Sequence, residues 1–397
     1  MRISPASGAA CALALLAFGA RSPSATAQSY DLNVILPLSG GGAFVGKGQE
    51  ESLEALAAEV NKTGGIKGRQ LHLVYHDDQT SPQVAVQLAN DVLADHPAVI
   101  LGSGLVAMCA AIAPLMKNET VDYCLSPGYH PAPGSYVFSS SASSIDQVAA
   151  VIRFYRLKGW TKIATLETTD ASGQDGDRAI TEVMARPENH GMTLAVQEHY
   201  NPTDVSVAAQ IERIKASGAQ ALINWATGAP VATVFKGAVQ AGLDIPITPT
   251  SGNQTFAQME QWSGFLPKQL FLPSALYPPH DGLITLDPRV EKVQHDMYAS
   301  LKERNLKPDN MAATSWDAGL IVVDALRRFG PDAKAGALRQ AIAGLDNFAG
   351  IDGIYDFAKY PERGLGPDSS IVVRYDAPAK KWVWLSKPGG EPLGAAK

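Results

Sequence analysis

The chain has 397 residues, 46% of them apolar and 18% charged, with 36 Gly and 26 Pro spread along it. That balance excludes a disordered, collagen-like or coiled-coil protein. Its net charge is −6, and with the two arginines of an N-terminal leader removed, 31 basic side chains face 39 acidic ones. No basic patch is left to displace counterions from phosphates, so nucleic acid is not an expected partner. The leader comes first in chain order: Arg2, an apolar run from Ala9 to Ala20, and the small-x-small site Ala25-Thr26-Ala27. This pattern predicts a secretory signal cleaved after Ala27, with a soluble exported chain starting at Gln28. The run is far short of the ~20 residues a membrane span needs. The 370 residues that remain are too many for one ordinary core and suit two domains.

From Asp31 onward, short β-rich runs alternate with longer helical ones. Strands are expected at 32–37, 71–76, 98–101 and 121–125, and helices at 48–62, 82–95 and 109–117. In the first helix Leu53, Leu56, Ala57 and Val60 form one stripe, and the helix stops at Gly64-Gly65. A serine-rich segment, Ser139 to Ser144, interrupts the rhythm, which restarts with helix 145–157. Strands 162–166, 193–197, 220–224 and 246–249 then alternate with helices 174–186, 205–216 and 229–241. Helices 289–304, 312–329 and 335–344 and a hairpin of 371–375 with 381–385 complete the chain. Repeated βαβ units imply parallel sheets with helices on both faces, occurring twice.

Motifs for catalysis are missing. The loop Gly40 to Gly48 approaches two phosphate-binding fingerprints and completes neither. Gly48 replaces the hydroxyl a P-loop needs, and Val45 replaces the third glycine of a dinucleotide fold, so a glycine-rich turn of close backbone approach is preferred. His72 and His76 lie on a strand and not in a zinc-binding helix, and Asp77 and Asp78 read as a solvated turn before Ser81-Pro82. No cofactor or metal is expected. Two cysteines remain beyond the leader. Cys109, at a helix start, and Cys124, at the end of the next strand, lie on one edge of the sheet, so they are candidates for a disulfide; two small buried thiols are the alternative.

At Asn61-Lys-Thr-Gly-Gly-Ile-Lys-Gly68 and Leu71-His-Leu-Val-Tyr-His-Asp-Asp-Gln-Thr-Ser-Pro82 the sequence resembles the branched-chain amino-acid-binding type of periplasmic binding protein, the substrate receptors of ABC importers. Further matches follow in order: Leu36-Pro-Leu-Ser-Gly40, Ala110-Ala-Ile-Ala-Pro114, Leu125-Ser-Pro-Gly128, Gly173-Gln-Asp175, Lys236-Gly-Ala-Val-Gln-Ala-Gly242 and Trp316-Asp-Ala318. The resemblance implies two doubly wound Rossmann-like α/β lobes joined by a three-segment hinge, the type I periplasmic binding fold. Lobe 1 is expected at 28–141 and 275–351, and lobe 2 at 142–274 and 352–397, with crossings near 140–143, 273–277 and 350–354. It further implies a monomer in the periplasm that closes on a small-molecule ligand and docks on membrane permease subunits.

Departures from the family pattern narrow the ligand. Where amino-acid binders carry a hydroxyl, this chain has Leu105, Val106, Ala107 and Met108, and where they carry an acid for the α-ammonium it has Thr250, Ser251, Gly252 and Asn253. Ser172 replaces the usual aromatic before Gly173. A buried unpaired ammonium is costly, so a hydrophobic or aromatic organic acid is expected in place of a zwitterion. Phe44, Val106, Ala107, Met108, Gly128, Tyr129, His130, Asp170, Ser172, Trp225, Thr227, Ser251, Asn253 and Tyr277 are the expected ligand-contacting residues. His130 or nearby backbone N–H groups would hold the carboxylate, while Trp225 and Phe44 would stack on the ligand. Two of these have open alternatives, Trp225 as core and Asp170 as a helix cap. The competing functions are a branched-chain amino acid or amide receptor, a ligand-sensing protein of the same fold and an exported α/β enzyme.

Overall fold

The computed structural model describes residue 1 and residues 29–394, so the expected signal and its cleavage site lie outside the described residues. Strand β1 (Tyr30–Leu36) leads to α1 (Ala43–Lys62), β2 (Leu71–Asp77), α2 (Pro82–Leu93), β3 (Val99–Gly102), α3 (Val106–Ile112), β4 (Val121–Cys124) and β5 (Val137–Ser139). The five strands form a parallel sheet in the order β2-β1-β3-β4-β5. Alternation along β1 builds both faces of the lobe. Leu32, Val34 and Leu36 enter one core, and Ile35 enters the other, against Ala85, Ala89 and Val92 of α2.

Helix α4 (Ser144–Leu157) opens the second lobe. It is followed by β6 (Lys162–Thr168), α5 (Ala171–Met184), β7 (Thr193–Tyr200), α6 (Ala208–Ser217), β8 (Ala221–Asn224), α7 (Ala229–Gln240), β9 (Ile247–Pro249) and α8 (Phe256–Gln261). Its parallel sheet runs β7-β6-β8-β9. Strand β10 (Phe271–Ser274) follows. Helices α9 (Pro288–Glu303), α10 (Asn310–Phe329) and α11 (Ala335–Ala343) come next, then the short antiparallel pair β11 (Phe348–Gly350) and β12 (Gly353–Tyr355). The chain ends with β13 (Ile371–Asp376) and β14 (Lys381–Trp384), which add to β10 in an antiparallel sheet ordered β10-β13-β14. A parallel bridge from Ile247 to Leu270 joins this sheet to β9.

Three local readings change. Helix α1 begins at Ala43, inside the stretch expected to be a turn, because its glycines serve packing. A Cβ on Gly46 would strike the Pro37 carbonyl, and one on Gly48 would strike Met311. Asp77 and Asp78 are not a solvated turn. Asp77 accepts the N–H groups of Leu38, Ser39 and Gln79, and buried Asp78 takes Thr80 N–H and the Ser103 hydroxyl, fixing two loops at the carboxyl edge of the sheet. Cys109 and Cys124 are joined in a disulfide, with Cα atoms 5.9 Å apart.

Two buried charges tie down the segments near the lobe junction. Arg363 donates from Nη1 to the carbonyls of Ser140 and Ser141 and from Nη2 to that of Tyr129, clamping the first crossing. Burial pushes its pKa down to about 10. Asp317 accepts the N–H groups of Ile351 and Asp352 and the Tyr355 hydroxyl, which gives the Trp316-Asp-Ala318 motif its role. Tyr355, Phe357 and Leu365 pack in the first lobe's core, whereas Ile371 and Val373 pack in the second's. We therefore place the third crossing between Leu365 and Ile371, later than the expected 350–354 and beyond the expected lobe boundary at 351/352.

Candidate functional site

Parallel α/β lobes place helix N-termini along the carboxyl edge of each sheet, and there a cavity of about 430 Å³ lies between the lobes. Its first-lobe wall holds Gly42, Phe44, Val45 and Gln49 of the α1 start, Leu105, Val106, Ala107 and Met108 at α3, Ser126 to Gly128 after β4, and Met311 and Thr314 of α10. Its second-lobe wall holds Asp170, Ala171, Ser172 and Asp175 at α5, Trp225, Thr227, Ala229 and Pro230 around the start of α7, and Thr250 to Gly252 after β9. The size suits a ligand of amino-acid scale.

Most of the expected residues meet here: Phe44, Val106, Ala107, Met108, Gly128, Asp170, Ser172, Trp225, Thr227 and Ser251 all line the cavity. Four do not. Tyr129 and His130 follow a turn closed by the Tyr129 N–H on the Ser126 carbonyl, which carries them past the wall. His130 instead bonds Asp175 Oδ1 at 3.0 Å and Ser144 Oγ at 3.1 Å. Asn253 is fully buried behind the α7 entrance, where its side chain takes Gly228 N–H at 2.8 Å and donates to the Ala226 carbonyl. Tyr277 belongs to the first lobe's core, because its position in the second crossing turns the ring inward.

The two open readings resolve differently. Asp170 lines the cavity and also caps α5, accepting the Ser172 and Gly173 N–H groups. Trp225 is only 3% exposed and rests on Gly176, so it is mainly core with one edge in the wall.

Electrostatics divide the helix ends into two groups. Helices α2, α4, α5 and α10 are capped by the side chains of Ser81, Ser143, Asp170 and Asp309. Helices α1, α3 and α7 have no side-chain cap, and each opens its first turn on the cavity. Among the described residues, no Lys, Arg or His lines the cavity. The lobes touch across it: a Cβ on Gly228 of the second lobe would lie 3.0 Å from the Phe44 ring of the first.

The main omission of sequence reasoning is Asp175, which faces His130 across the cleft and also receives Arg178 on Oδ1. The signal was present in the Gly173-Gln-Asp175 motif. Gln49 was hidden by its helix; its Nε2 bonds the Leu125 carbonyl and Thr314, and its buried Oε1 has no partner among the described residues.

Two open parallel lobes closing on one ligand-sized cavity define a cleft-binding protein of the two-lobed type. The family model for periplasmic binding proteins matches residues 31–377, so the chain belongs to that family. Among curated proteins it is 26% identical over 228 residues to the leucine-, isoleucine-, valine-, threonine- and alanine-binding protein of Pseudomonas aeruginosa, covering 57% of this chain and 61% of that one. It is 25% identical over 215 residues to Leu/Ile/Val-binding protein homolog 3 of Brucella melitensis, covering 52% and 58%. The matches thus span about six-tenths of those relatives' length. Among solved structures, an extracellular ligand-binding receptor from Rhodopseudomonas palustris HaA2 superposes with TM-score 0.77 at 18% identity, covering 90% of this chain and all of that one. The branched-chain amino acid transporter substrate-binding protein LivJ of Streptococcus pneumoniae, in complex with isoleucine, gives 0.74 at 15%, covering 87% and 95%. The folds are the same. No helix among the described residues is long and apolar enough to cross a membrane.

Proposed function

We propose that this chain is the periplasmic receptor of an ABC importer, exported by the signal that ends at Ala27, and that it carries a small carboxylate with an apolar body. The convergence of three helix N-termini without side-chain caps on one apolar-walled cavity carries this reading. The N–H groups of Phe44, Val106, Ala107, Met108 and Ala229, which have no acceptor among the described residues, and the positive ends of the helix dipoles suit an anion, and among the described residues no cationic side chain lines the cavity. Phe44, Leu105, Val106, Met108 and Met311 would hold the apolar body. Because the Arg178 guanidinium already pairs with Asp175 and His130 hydrogen-bonds it, the ligand needs no ammonium. Lobe closure would then present one surface to the permease subunits.

One observation favours a branched-chain amino acid instead. His130 and Arg178 both engage Asp175 Oδ1, while Oδ2 stands over Gly128, where a Cβ would approach it to 3.0 Å and where an ammonium would fit. The curated relatives' names point the same way. A thermal-shift screen followed by calorimetry separates the two, because a ligand that binds the native state alone raises the melting temperature by mass action. Stabilisation by benzoate or phenylpropenoate and not by leucine is expected. Stabilisation by leucine or valine alone would establish the second reading, and a response only to nucleotides would overturn the receptor role.

A further inference from the structure

Strands β6 and β7 run in parallel register with Glu167 opposite His199, so both side chains leave the sheet on one face about one strand spacing apart. Asp177, in the second turn of α5, comes down on the same spot. His199 Nε2 lies 2.9 Å from Asp177 Oδ2, 3.1 Å from its Oδ1 and 4.0 Å from Glu167 Oε2. One ligand atom from each of the three residues falls within 4.8 Å of the others. Gln197, two residues before His199 and so on the same face of β7, donates to Asp177 Oδ1 at 2.9 Å and fixes the carboxylate. The cluster stands apart from the cleft, since Asp175 and Asp177 are two residues apart and point to opposite sides of α5.

Glu167 distinguishes this cluster from a surface ion pair. Its side chain is wholly buried, yet among the described residues neither carboxylate oxygen accepts a hydrogen bond. Thr165, two positions earlier on the same face of β6, also leaves its hydroxyl unpartnered. A buried carboxylate without donors is costly, and such groups are normally paired or coordinate a metal. Here the side chain is aimed at a half-exposed imidazole and a second carboxylate that leave one side open to solvent.

We infer that Glu167, Asp177 and His199 form a binding site for a divalent transition-metal ion of the Zn²⁺ type. Two carboxylate oxygens and one imidazole nitrogen are a suitable donor set, with water completing a four-coordinate shell. Ligand atoms about 2.0 to 2.2 Å from the ion would be somewhat over 3 Å apart; the two His199 pairs stand at 2.9 Å and 4.0 Å and all three atoms lie within 4.8 Å of one another, so the carboxylates need only draw in by about an ångström or less. The imidazole selects against Ca²⁺ and Mg²⁺, which prefer oxygen donors alone.

The test is calorimetric titration of the purified, chelator-stripped chain with ZnCl₂, with the melting temperature measured in parallel. One Zn²⁺ per chain and a raised melting temperature are expected. Glu167→Gln and His199→Asn should each weaken binding by at least about tenfold. His72→Asn removes an exposed His–Asp pair on the other lobe and should leave it unchanged. Glu167→Gln keeps the side chain's shape and removes only its ionisable group, so it should fold at least as well as the parent, and loss of binding there is not loss of structure. The inference fails if Zn²⁺ does not saturate the parent chain, if its binding survives in both cluster variants, or if Ca²⁺ binds more tightly than Zn²⁺.

Discussion

Asp175 and Asp177 sit on one helix, two residues apart, in opposite electrostatic settings. Asp175 faces the cleft and meets the His130 imidazole from the other lobe and the Arg178 guanidinium from its own turn. Asp177 faces away, sharing His199 with Glu167, so two carboxylates compete for one imidazole. The cleft side is balanced and can accept an anion at the helix ends, whereas the outer side is short of positive charge and is suited to a cation.

Moving the helix that carries both sides should disturb the two sites at once. A Cβ on Gly173 would land inside the Thr168 carbonyl group, a backbone clash no rotamer relieves. Gly173→Ala should therefore cost more than about 3 kcal/mol in chemical denaturation and weaken ligand and metal together. A fully stable variant would show that α5 is not held against β6 as described.

A second experiment reads the uncompensated side alone. Burial pushes the Glu167 pKa up to about 8 from 4.5. The folded state therefore binds more protons than the unfolded state between those values, and stability is lost as pH rises through that window. In chelator, Glu167→Gln should be more stable than the parent by about 4 kcal/mol at pH 8 and nearly equal to it at pH 4.5. Denaturation curves at the two pH values check this, and a gap that does not widen toward pH 8 would contradict the burial of an unpartnered carboxylate.

The smallest effects should separate the two sides cleanly. Asp175→Asn weakens the link to His130 and should raise the Kd of the organic ligand by about tenfold while leaving Zn²⁺ affinity within a factor of two. Asp177→Asn should do the reverse. Calorimetry on both variants gives the answer, and coupled losses would mean that the two sides communicate through α5.

Much of the fold was legible from local pattern. Helices over 82–95, 145–157 and 289–304 and strands over 71–76 and 162–166 fall within a few residues of α2, α4, α9, β2 and β6. Strand β5, with three residues between a turn and a serine run, has no period to detect, and α8, with only six, is too short to show one. Within the site, the residues of short sheet-edge loops were legible, because a loop after a parallel strand must face the cleft. Tyr129, His130 and Asn253 were misplaced because a turn or a buried amide network decides which way such residues point.

The two-lobed α/β class, the alternation of strands and helices, and most residues of the cavity wall follow from local sequence pattern. These depend on periodicity and on the fixed handedness of βαβ units, which are properties of the local chain. The pairing of His130 with Asp175 across the lobes arises only from tertiary packing. So do the register of Glu167 with His199 beneath Asp177 and the anchoring of the 351–355 turn by Asp317. Those contacts join residues far apart in the chain, and their spacing follows from how sheets pack and strands align, which no local pattern encodes.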